Sequence, residues 1–154
     1  MFYKVHVGFC EDPSLWLGAF SVVEDEEDVI AACLEGGSIS AARLTMLYES
    51  TLSARPLSKE IVNILSHEGE KSIKELKKGS SRLTFFIDQD LPFRDIQISR
   101  VIVCLSLFAK KTQKTPPEEI DKAQGLRELF LKAKREGNLK ITWQIGRASC
   151  RERV

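Results

Sequence analysis

Phe108-Ala-Lys-Lys-Thr-Gln-Lys-Thr-Pro-Pro-Glu-Glu-Ile120 joins two patterns of different period, and the fold turns on how that junction is read. Before it, Ile96 to Phe108 is a nearly unbroken apolar run rich in Ile and Val, the signature of a buried central strand. After it, Ile120, Ala123, Leu126, Leu129, Phe130 and Ala133 recur at helical spacing. Thr115 is placed to cap that helix, with Pro116 at its first position and Glu118 completing a capping box. Between the two patterns Lys110, Lys111 and Lys114 crowd together without an acid among them. A strand-to-helix junction offers unpaired backbone N–H groups and the positive end of a helix dipole. Lysines there oppose the dipole, and a bound phosphate would offset that repulsion. A solvated loop explains a charge run taken alone, but the residues around these lysines are more specific than their charge.

Outward from the junction, Leu83, Phe85 and Ile87 alternate with Arg82, Thr84 and Phe86, which predicts a second strand. Gln89 to Asp95, containing Pro92, reads as a polar turn between the two strands. Ser72 to Lys78 suits a helix or a strand equally on its own residues. Nearer the N-terminus, Tyr3, Val5, Val7 and Phe9 alternate with Lys4 and His6, a half-buried strand. A turn at Glu11 to Ser14 follows, and Leu15 to Val23 is the candidate second strand of a hairpin. The acids from Glu24 to Asp28 precede Val29, Ile30, Cys33 and Leu34 at helical spacing. Carboxylates in a first turn stabilise it through the dipole, which accounts for the run; contact with a basic partner is the alternative. Gly36-Gly37 ends this helix, and Ser38 or Ser40 caps the next, striped by Ala41, Leu44, Leu47, Tyr48 and Leu52. Pro56 breaks that stripe, Ile61, Ile64 and Leu65 suggest one more short helical turn, and His67-Glu68-Gly69 reads as a loop. Asn138 to Trp143 is a last short strand. The expected fold is α+β: a small, largely antiparallel sheet with an N-terminal helical hairpin and a C-terminal helix.

Composition narrows the setting. A chain of 154 residues, 43% hydrophobic and 29% charged, fits one globular domain. No run approaches the roughly 18–20 apolar residues needed to span a bilayer. Acids as early as Glu11 and Asp12 do not suit a secretory signal. Cys10, Cys33, Cys104 and Cys150 are scattered, without a Cys-x-x-Cys pair, so neither a disulfide nor a zinc framework is expected and the cytoplasm is the default location. Residues 145–154, Ile-Gly-Arg-Ala-Ser-Cys-Arg-Glu-Arg-Val, resemble read-through of a sequencing adapter. The expected domain is therefore 1–144, followed by a non-native tail, with the native chain continuing past Gln144. Residues 1–70 hold four Lys/Arg against twelve Asp/Glu, whereas residues 71–144 hold sixteen against nine. A net −8 half and a net +7 half are hidden in a near-neutral whole, and the second suits a polyanion.

The stretch quoted first, with Ile73-Lys-Glu-Leu-Lys77 and Arg82-Leu-Thr-Phe-Phe-Ile-Asp88 before it, closely resembles the RelE/HigB superfamily of type II toxin–antitoxin toxins, in its phage-derived, HigB-like branch. In that branch F-x-K-K-T-Q-K-T-P…E-I-x-x-A is the most recognisable segment. The match is strong over residues 82–125, weaker over 55–81 and architectural before that. The resemblance makes Ile73 to Lys77 a strand, followed by a turn at Gly79 to Ser81.

It also implies an activity: metal-independent endoribonuclease action on mRNA, in many members at the ribosomal A site, with no cofactor. The ribose 2′-hydroxyl attacks the adjacent phosphate, so the site must accept a proton, stabilise the phosphorane and protonate the leaving oxygen. The implied catalytic residues are Lys77, in the position of the family's strand arginine, with Arg82, Lys110 and Lys111; Lys78, Gln113 and Lys114 would bind RNA. Arg82 suits bidentate hold of a phosphate, and a lysine desolvated among cations can act as a base. Two departures bear on activity. Many relatives have a His where Ser106 stands, and Lys77 keeps the charge of arginine but not its fork. His6, His67, Tyr3 and Tyr48 all lie outside the matching positions. The implied partners are mRNA, the ribosome and an antitoxin, expected to be a helix-turn-helix DNA-binding protein that docks mainly on the helical hairpin, near Leu44, Leu47 and Leu52, and in part covers the lysines. A ParE-like gyrase poison and a catalytically inactive module that binds RNA or antitoxin are the alternative readings.

Overall fold

Alternation and apolar runs build one seven-stranded mixed sheet in the computed structural model, which describes residues 1–144 apart from 13, 25–26, 67–70 and 112–113. In chain order the elements are β1 (Phe2–His6), β2 (Leu15–Ser21), α1 (Val29–Gly36), α2 (Ala41–Ser53), β3 (Val62–Ile64), β4 (Lys74–Lys78), β5 (Ser81–Phe93), β6 (Ile96–Ala109), α3 (Pro117–Arg135) and β7 (Lys140–Gln144). The strand order is β3-β4-β5-β6-β2-β1-β7. The pairs β1–β2, β3–β4, β4–β5 and β5–β6 are antiparallel, while β2 beside β6 and β7 beside β1 run parallel. The α+β reading holds, and the sheet is largely antiparallel, with four antiparallel pairings and two parallel ones among the described residues. Among the described residues no helix is long and apolar enough to cross a membrane.

The sheet is buried on both faces. The helical hairpin covers one face, where Ile30, Cys33, Leu44, Leu47 and Tyr48 pack on Leu15, Leu17, Leu83 and Phe85. On the other face α3 lays Ala123 and Phe130 against Tyr3, Phe20, Phe86 and Val103. Phe130 meets the rings of Tyr3, Phe20 and Phe86 edge-on at 5.6–5.8 Å, the arrangement aromatic quadrupoles favour. Tyr3 crosses between strands to donate from its hydroxyl to the Ile102 carbonyl at 2.9 Å. That crossing needs Gly18, because a Cβ there would sit 2.6 Å from the Lys4 carbonyl oxygen and 2.8 Å from the Tyr3 ring.

Burial on both faces overturns the half-exposed reading of β1. Lys4 and His6 are only 7% and 6% exposed. Lys4 donates to the Glu24 carbonyl at 2.7 Å, and the His6 ring lies 2.8 Å from Asp28. Leu44 and Leu47 are likewise core residues and Leu52 packs partly buried against them, so the apolar stripe of α2 faces the sheet and Leu44 and Leu47 are not open to a partner. The acids after Ser21 lie ahead of α1 rather than in its first turn, and Asp28 caps the helix by accepting from the Ala31 N–H at 2.9 Å. Ser40 caps α2, and Gly37, at φ 69°, ends α1 in the left-handed conformation glycine tolerates.

Two further expectations change. Residues 62–64 form β3 and not a helical turn, because Val62 and Ile64 pair with Leu76 and Lys74 across an open sheet edge. Nor is Gln89 to Asp95 a long polar turn: β5 continues to Phe93, with a turn only at Arg94 and Asp95. Pro92 is tolerated there because β4 pairs with β5 only as far as Phe85, so the missing N–H falls on a locally unpaired side. The loop expected at His67 to Gly69 lies outside the described residues.

Candidate functional site

Strand registers bring the expected cations to one end of the sheet. Lys77 stands opposite Arg82 across β4 and β5, and Arg82 opposite Phe108 across β5 and β6. Directly cross-strand residues share a face, so these three form one row. The next row inward on that face is Glu75, Thr84 and Ser106. The lysine segment starts beside the β4–β5 turn, because the Lys110 N–H donates to the Ser80 carbonyl at 2.7 Å. Lys77 and Lys110 are half-buried, and Lys111 and Lys114 are exposed. Lys78 pairs with Ser81 and, by alternation, points away from the Lys77 face, so it stands apart from the row. Gln113 lies outside the described residues.

Arg82 is held rather than extended. Its Nη1 donates to the carbonyls of Gly79 at 2.7 Å and Ser81 at 2.9 Å. Its Nε lies 3.8 Å from Glu75 Oε1, and its side chain is 12% exposed. Glu75 is itself fully buried, and its Oε2 accepts from the Thr115 hydroxyl at 2.7 Å. Thr115 therefore does not cap α3. The helix starts at Pro117, and its N-cap, Pro116, makes no side-chain cap bond. A hydroxyl bond to a buried carboxylate is stronger than one to a neutral N–H, which is why Thr115 turns toward the sheet. Glu118 and Glu119 fill the first turn, so the positive end of the α3 dipole already faces carboxylates of the same helix.

Ser106, at the position where the resemblance implies a histidine in many members, is buried. Its Oγ lies 2.5 Å from Thr84 Oγ1, and its N–H donates to that same oxygen at 3.0 Å. His6 is in the β1–β2 half of the sheet, committed to Asp28. Glu75 joins the site without being a candidate on sequence alone. It stands two residues from Lys77 on one strand face, but register and the path of the chain decide its partners on β5 and beyond the lysines.

These features define a small α+β protein whose mixed sheet is covered on both faces and carries basic residues at one end. Residues 41–128, more than half of the chain, match the family described as phage-derived protein Gp49-like (DUF891). The chain belongs to that family, which is associated with toxin–antitoxin modules. The matched span runs from α2 into α3 and includes every cation of the row described above. No curated protein and no solved structure matches the chain.

Proposed function

We propose that this chain is the toxin of a type II toxin–antitoxin module of RelE/HigB type, an endoribonuclease that cuts mRNA on the ribosome without a metal. Its support is the convergence of Lys77, Arg82 and Lys110 at one sheet end through two strand registers and one backbone bond, inside the family-matched span. Lys111 and Lys114 add exposed charge beside them. Together these cations would draw a phosphodiester onto the end of the hairpin and stabilise the charge that grows on the phosphorane. Lys77 and Lys110 are the proposed proton-exchanging pair, one taking the 2′-hydroxyl proton in its neutral form and the other, protonated, giving a proton to the leaving 5′ oxygen. Arg82 acts through what its two carbonyl bonds leave of the guanidinium, so it supplies charge more than a bidentate fork. The cognate antitoxin is a proposed partner, as are mRNA and the ribosome, with the cytoplasm as the place of action.

A binding-only module is the second reading, favoured by one observation: Ser106 is sealed against Thr84, so that position offers the substrate no acid or base. Replacing Lys110, Lys111 and Lys114 together with alanine separates function from folding, since none of the three is a core residue. The triple variant is expected to fold with unchanged circular dichroism, to permit growth on induction and to leave transcripts intact. Parent expression should arrest growth with newly cleaved mRNA. Arrest by the variant equal to the parent's would remove the lysines from the site. Arrest by the parent with intact mRNA and a DNA-damage response would point to gyrase instead.

A further inference from the structure

We propose that Glu75 is a positioning residue whose buried carboxylate holds Arg82 on one side and Thr115 on the other, and so sets how Thr115 and the lysines before it stand relative to the β4–β5 hairpin. For its catalytic consequence this rests on the nuclease reading above; the clamp itself does not.

Lys110 and Thr115 are each anchored on the same hairpin. At the first, the Lys110 N–H meets the Ser80 carbonyl at 2.7 Å, a backbone bond that does not depend on side-chain identity. At the second, the Thr115 hydroxyl meets Glu75 Oε2 at 2.7 Å, and that bond exists only with these two side chains. The carboxylate is fully buried. Removing a charge from water is unfavourable, and an apolar side chain of similar volume would fill the position without that penalty. Nor is the ion pair close: Oε1 lies 3.8 Å from Arg82 Nε, and neither atom has a hydrogen-bond partner. Stability alone therefore explains Glu75 poorly. Direction explains it better, because one oxygen fixes the far end of the lysine segment while the other draws the guanidinium of Arg82 along the turn. With no exposed surface, Glu75 does not touch substrate and acts through these neighbours.

Thr115→Val removes the hydroxyl with little change of shape, Thr115→Ser keeps it, and Glu75→Gln keeps an acceptor without the charge. Two measurements on the full chain read the effects. Amide hydrogen exchange at Lys110, whose N–H bonds to the Ser80 carbonyl, reports the clamp, with β5–β6 amides as the internal standard. In Thr115→Val this amide should exchange about tenfold faster while the standard stays fixed, because the segment is then held at one end only, and Thr115→Ser should match the parent. Steady-state RNA cleavage reports positioning: kcat should fall about 10- to 100-fold in Thr115→Val and Glu75→Gln, with KM within about threefold. Unchanged exchange in Thr115→Val overturns the clamp. Faster exchange with unchanged kcat overturns the positioning role. If the parent cleaves no RNA, the nuclease reading fails while the exchange comparison still decides whether the clamp exists.

Discussion

Asp28 serves two elements at once. Its Oδ1 accepts from the Ala31 N–H at the start of α1 and lies 2.8 Å from the His6 ring on β1. Burial pushes its carboxyl up, but the His6 hydrogen bond and charge, the Ala31 N–H and nearby Lys4 outweigh that and hold it below its ordinary value of 3.8. A carboxyl lowered on folding contributes stability that is complete above its unfolded value and is lost as pH falls through the folded one. The loss therefore belongs below about pH 4. Asp28→Asn keeps a capping acceptor but gives up the charge-assisted bond, and should cost about 1–2 kcal/mol at pH 7. Urea unfolding at pH 7 and pH 3 checks this: the gap between parent and variant should narrow at the lower pH, and an equal gap at both would refute the assignment. Alternation along β1 pointed His6 to solvent because its acidic partner is 22 residues away. Alternation gives the side of a strand, not whether that side is covered.

Elements with local signals were legible in detail. Gly37 and Ser40 end and start helices as their backbone and side-chain chemistry requires. Ile96 to Ala109 is the long strand that its Ile/Val run demands, flanked on both sides by other strands. Elements that exist only through pairing were not legible: β3 has three residues and little meaning without β4. The strand β7 was legible as a strand, but its parallel seat beside β1 came from the fold. There Trp143 closes an aromatic group with Trp16 at 5.7 Å and Phe93 at 5.1 Å, with Arg94 over the Phe93 ring at 4.9 Å. Trp143 is 37% exposed, so its contribution comes mainly from these edge-on contacts. Trp143→Ala should destabilise by about 1–2 kcal/mol. Because Trp16 would then be the only tryptophan, the fluorescence of that variant during denaturant unfolding reports the same transition. A loss near zero would mean that β7 is held by backbone pairing alone.

At the scale of the whole molecule, the last described strand ends at Gln144, where the adapter-like residues begin. A chain ending at Gln144 is proposed to keep its stability within about 0.5 kcal/mol, as calorimetry or urea titration would show. A larger loss would make residues 145–154 part of the folded domain. The sequence alone determined the α+β class, the helical hairpin, the long strand and the clustering of lysines after it, because periodicity, caps and charge runs are local properties of the chain. It also supplied the resemblance from which the nuclease reading comes. Tertiary structure alone decided that β2 and β6 run side by side in parallel and that both faces of the sheet are covered. It likewise turned Thr115 from a helix cap into a partner of Glu75. These outcomes depend on which distant segments meet, and a buried carboxylate 40 residues from a hydroxyl leaves no trace in the spacing of either.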